Sequence, residues 1–196
     1  MARANLLPRL YGICTALKQA TQANVCRTMQ AGMLLAATLL ATTDAYAGSA
    51  EQLVGLFIQG CVPFAGNPSG LREWARRTGL PPVPEQASKA FLHGAPGQAF
   101  DGSATATKLV LVSSDDGICS AATNQAVQQQ VAEALQAGFR QAGLAFRLVI
   151  ERDDAHIPLI HDREYLAARD KRAWRILVAT VKDDQGGEAM LTAALE

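Results

Sequence analysis

The sequence predicts an α+β domain. A helical N-terminal cap precedes a β-β-α-β-β-β core, a mostly antiparallel five-stranded sheet with one long helix packed on it. Three observations lead there. Val127, Val131, Leu135 and Phe139 recur every four residues, with Ala134, Gly138 and Ala142 beside them, which is one apolar stripe at the helical period. Residues 108–113 (KLVLVS) and 174–182 (WRILVATVK) are rich in β-branched side chains and read as strands. The connections between strand candidates are of hairpin length, which joins neighbours antiparallel.

Taken in order, residues 1–47 read as a signal peptide. Arg3, Arg9, Lys18 and Arg27 precede an apolar run at 31–41 (AGMLLAATLLA), too short to span a bilayer. Ala45-Tyr46-Ala47 is the small-x-small pattern that a signal peptidase cuts. The leader is long before its apolar core, and a start at Val25 or Met29 would shorten it to ordinary length. Residues 48–196 then form a single domain, with 48–94 as helical cap and 97–196 as sheet and central helix.

Of the 18 Lys+Arg, four leave with the leader; of the 18 Asp+Glu, only Asp44 does, so 14 − 17 gives the remaining chain a net charge of −3. A general nucleic-acid binder needs a basic surface, so that class is set aside. Cys14 and Cys26 also leave. Cys61 and Cys119 remain, and two cysteines in an exported protein most simply form one disulfide.

In the cap, Ser49-Ala50-Glu51-Gln52 is a capping-box pattern opening a buried helix that Gly60 would end. Asn67-Pro68 starts a second helix, since Asn caps well and proline suits the first helical position. Gly79 stops it. Residues 80–84 (LPPVP) are stiff and extended, and 85–92 form a third short helix.

Residues 98–101 read as a short strand. Strand 108–113 turns at Asp116-Gly117 into 118–122. Thr123 or Asn124 would cap the central helix and Gly143 would end it; its Gln-rich face reads as solvated. Three strands follow: 144–151, with Leu144, Phe146, Leu148 and Ile150 on one side; 165–168; and 174–182. Residues 188–195 close the chain. This order resembles longin, roadblock and profilin-like folds, a likeness that carries no function.

The stretches GCVPFAGNPSGLREWARRTGLPPVP, FLHG, DGICSAA and REYLAARD resemble a family of small bacterial exported proteins and lipoproteins. The resemblance covers nearly all of the chain after the leader. It implies export and supplies no catalytic residues. No cysteine follows Ala47, so a lipid anchor there is not implied.

Candidate chemistry is sparse. Asp153, Asp154, His156, His161, Asp162 and Glu164 are metal-ligand types, yet His156 and His161 are five apart and Pro158 breaks helix between them, so a solvated charged loop is the simpler reading. Asp115 and Asp116 pair as carboxylates but fit turn chemistry. Cys61 or Ser69 with His93, His156 or His161 would make a nucleophile and base. Export favours the disulfide for Cys61, and Ser69 stands at a helix start outside any Gly-x-Ser-x-Gly elbow. Arg169, Lys171, Arg172 and Arg175 around Trp174 offer an anion grip or a charged hairpin tip. The expectation is therefore no catalytic, cofactor or metal residue. The function it favours is a non-enzymatic periplasmic or secreted binding or accessory protein acting on an envelope protein or cell-wall component. The alternative is a small cell-wall or peptide hydrolase.

Overall fold

A computed structural model describes residues 43–104, 106–182 and 187–196, with side chains from Gly48 onward. The leader's basic residues and apolar run lie outside the described residues. Helix α1 spans Thr43–Leu56 and continues through the expected cleavage point at Ala47 without a break. Ser49 is therefore inside this helix and not its cap; its hydroxyl is buried 3.1 Å from that of Thr107.

Gly60 does not end the first helix either. The run passes through a π-helical segment, Phe57–Cys61, into a short α2, Val62–Phe64. Pro63 explains the wide turn. It has no N–H to give and its ring crowds the carbonyl four residues back, so the ladder loosens ahead of it. Gly60 meanwhile packs against the Trp74 ring and Leu111.

Asn67 caps α3 (Pro68–Arg77), its Oδ1 accepting from the Gly70 N–H at 3.0 Å. Helix α4 covers Glu85–Leu92, as its pattern predicts.

The sheet has seven strands and not five: β1 Gly97–Asp101, β2 Leu109–Ser114, β3 Cys119–Ala126, β4 Ala145–Asp153, β5 Ile160–Arg169, β6 Arg172–Val181 and β7 Gly187–Leu195. Every pairing is antiparallel and the order is β1-β2-β3-β7-β6-β5-β4. The segments at 98–101 and 188–195 thus become an edge and a central strand. Helix α5 (Gln128–Gln141) carries the chain from the middle of the sheet to its far edge, and hairpins bring it back until β7 pairs with β3. The helix starts later than Thr123 or Asn124 because β3 runs on to Ala126, which pairs with Gly187. Val127 takes the cap position without a side-chain bond, and the Thr123 hydroxyl donates instead to the Lys108 carbonyl at 2.7 Å.

Both faces of the inner strands are covered. On one, Leu53 and Phe57 with Val131, Leu135 and Phe139 of α5 pack on Leu111, Ala121, Tyr165, Ile176 and Leu191. On the other, Phe91 and Leu92 of α4 meet Val110, Val112, Ala122 and Met190. Burial on two sides is why β2 (LVLVSS) reads as an unbroken apolar run and not as alternation. Cys61 and Cys119 are joined, with sulfurs 1.98 Å and Cα atoms 5.2 Å apart. That bond ties the π-helical segment to the start of β3.

Two close approaches need glycine. A Cβ on Gly138 would sit 2.8 Å from Val54 Cγ1, so α5 can lie this near α1 only without one. Gly117 has φ +86° and its carbonyl accepts from the Gly66 N–H at 2.8 Å, locking the β2–β3 turn to the end of α2.

The arginines of the β5–β6 hairpin hold helix ends. Arg172 donates to the Pro63 and Ala65 carbonyls at 3.0 and 3.2 Å and lies 5.2 Å over the Trp174 ring. Arg169 donates to the Ala142 carbonyl just after α5 at 3.0 Å. Last-turn carbonyls lack helical partners, and guanidinium groups fill that need.

Candidate functional site: the open edge at β4

The two edges of the sheet are treated differently. Along β1, the Val83 N–H donates to the Ala99 carbonyl at 2.9 Å and the Asp101 N–H to the Pro81 carbonyl at 2.8 Å, with a bridge between Pro82 and Phe100. The covering segment carries Pro81, Pro82 and Pro84, which have no N–H to offer a further strand. That edge is closed.

β4 pairs with β5 on one side and with no described strand on the other. Seven of its nine residues are exposed, and only Phe146 and Ile150 are half-buried. A bulge between Leu148 and Ile150 shifts the register. It overturns the expectation that Phe146, Leu148 and Ile150 share a side. Leu148 stays on the helix face opposite Tyr165, while Ile150 lies opposite Glu164 on the other face. Phe146 packs into an aromatic cluster, 5.0 Å from Phe139 and 6.3 Å from Tyr165 between ring centres. Beyond that cluster Leu148 and Val149 are 44% and 42% exposed, and Leu159 in the following loop is 64% exposed.

The charges on β4 divide by face. On the helix face, His161 lies between two carboxylates, with Nδ1 3.0 Å from Asp153 and Nε2 3.2 Å from Glu151. Arg163 donates to Glu151 at 2.8 Å and Lys182 reaches Asp153 at 3.0 Å. The hydrogen bond from His161, then that from Arg163, holds the Glu151 carboxyl below its ordinary value. His161 and then Lys182 do the same for Asp153. On the opposite face stand Arg147, opposite Leu166, and Arg152, opposite Asp162. Neither arginine has a carboxylate within ion-pair distance among the described residues.

The expected charged loop at 153–164 is thus half strand. Asp153 ends β4, and His161, Asp162 and Glu164 belong to β5. Asp154 folds the connection, its Oδ1 accepting from the His156 and Ile157 N–H groups at 2.8 and 2.7 Å. Asp162 is buried, and its Oδ1 has no partner among the described residues. Burial, and then the nearby Asp154, raise its carboxyl above the ordinary value. Among the described residues no three His, Cys, Asp or Glu side chains are grouped as metal ligands.

The proposed nucleophiles are occupied. Cys61 is in the disulfide, and the Ser69 hydroxyl donates to Asn67 Oδ1 at 3.0 Å. His93 takes a left-handed conformation at the end of α4, φ +49°. Asp115 pairs with Arg72, and the Asp116 carboxylate accepts from the Ile118 N–H at 3.1 Å in the turn. Arg175 bridges Glu164 and Glu196. Comparison with protein-family models, curated proteins and solved structures returns no match. A shallow groove of about 540 Å³ between α1 and α5, lined by Val54, Ile58, Ala134 and Gly138, gathers no histidine or cysteine. No described helix is long and apolar enough to cross a membrane.

Sequence reading did not single out the β4 edge. Its signal was available in RLVIERD, where charge interrupts the alternation expected of a strand buried on one side.

Proposed function

We propose that this chain is an exported, non-enzymatic binding or accessory domain of the bacterial envelope that engages a partner protein by strand addition along β4. The asymmetry of the two edges carries the reading. One edge is sealed by a proline-bearing segment, while the other leaves a nine-residue strand with exposed Leu148 and Val149. A row of unpaired backbone donors and acceptors beside apolar side chains is the surface an extended segment docks on. Export is supported by the small-x-small pattern at Ala45–Ala47 and by the disulfide, a bond that persists in oxidising compartments.

A photo-crosslinking residue placed at Val149 tests this, with Gln98 on the closed β1 edge as control. The expected result is a discrete adduct with one envelope protein from Val149 and none from Gln98. Equal labelling from both edges, or none from Val149, overturns it.

A further inference from the structure

Resting on the strand-addition reading, we propose that β4 selects an extended acidic segment of its partner, with carboxylates at positions i and i+4 and an apolar residue at i+2. Charge and spacing along β4 define this segment. On the helix face Glu151 and Asp153 are already answered by Arg163, Lys182 and His161. An incoming strand meets little net charge there. On the opposite face Arg147 and Arg152 are exposed and, among the described residues, neither has a carboxylate within ion-pair distance, with half-buried Ile150 between them.

The bulge fixes the spacing. Arg147 and Arg152 are five residues apart on β4, but their register partners on β5, Leu166 and Asp162, are four apart, with Glu164 opposite Ile150. An unbulged strand added to the outer side counts the same way. Its residues facing Arg147, Ile150 and Arg152 stand at i, i+2 and i+4 on one face. Carboxylates at the ends meet the two guanidinium groups, and an apolar residue between them meets Ile150. A second copy of this chain does not fit. Its only two acidic residues four apart are Asp184 and Glu188, with Gly186 between. The occupant is therefore a segment of another protein.

The probe is a short synthetic peptide with the core Glu-Thr-Val-Thr-Glu, titrated into the full protein and followed by fluorescence anisotropy and by amide exchange along β4. We expect binding that weakens with salt. The matched Gln-Thr-Val-Thr-Gln peptide should bind about tenfold more weakly, since each cross-strand opposite-charge pair contributes a few-fold in affinity. The Arg147→Glu/Arg152→Glu protein should lose the glutamate peptide and take up its lysine counterpart. Equal affinity for the glutamate and glutamine peptides overturns the acidic selectivity while leaving strand addition standing. Undiminished binding of a glutamate peptide N-methylated along one backbone edge instead overturns strand addition. If neither peptide binds, both fall.

Discussion

Reduction of the Cys61–Cys119 bond should lower the stability of this protein by about 4 kcal/mol. The sulfurs link positions 58 residues apart. In the chain-entropy treatment, opening a loop of that length returns about 14 cal/mol/K to the unfolded chain, or about 4 kcal/mol at 25 °C. A domain of this kind is stable by only about 5–15 kcal/mol, so the change removes a large share of it. Urea unfolding followed by Trp74 and Trp174 fluorescence measures it, with and without a reductant. Two signatures should appear together. The midpoint falls, and the slope of stability against urea rises, because the freed chain exposes more surface when unfolded. Replacing both residues by alanine should cost somewhat more, since both cysteines are fully buried and the sulfurs' packing is lost as well. A loss on reduction below about 1 kcal/mol, with unchanged slope, would refute the loop argument.

Phe139→Ala removes a fully buried ring that packs on Phe146 and Tyr165, and should cost about 3–5 kcal/mol by urea unfolding. Arg172→Ala frees the Pro63 and Ala65 carbonyls and uncovers Trp174; a loss of about 1–3 kcal/mol is expected, and Arg172→Lys should recover only part of it because one ammonium cannot span both carbonyls in the guanidinium's fixed fork. Glu151 and Asp153 have folded values depressed from 4.5 and 3.8, so their contribution is present above those values and is lost as pH falls through the lower folded ones; His161→Ala should flatten this acid limb. Asp162 is raised from 3.8, so its contribution runs the other way, present below that value and lost as pH climbs through the folded one; Asp162→Asn should therefore gain on the native protein between pH 4 and neutrality, and a flat difference in urea midpoints over that range would sink the assignment.

The elements with strong local signals were legible in the sequence. Helix α3 and its Asn67 cap follow from capping and proline rules, and β2 and β6 from their β-branched runs. Two kinds of feature were not. Membership of the sheet is a long-range property, and nothing near 188–195 reveals that it lies between β3 and β6. Local geometry set by packing was also hidden: Gly60 reads as a helix stop, but a proline three residues on turns the run into a π-helical segment that continues. The basic hairpin reads as a surface feature because sequence cannot show that Arg169 and Arg172 reach carbonyls 27 and 109 residues away. At the candidate site the alternation of 144–151 hides the bulge, which puts Leu148 and Ile150 on opposite faces.

The most direct measurement of the central claim is amide hydrogen exchange of the protein with its crosslinked partner bound. We expect new protection in β4, from Ala145 to Asp153, with β1 and the α1–α5 groove unchanged. Protection in that groove, with β4 exchanging as in the free protein, would contradict it.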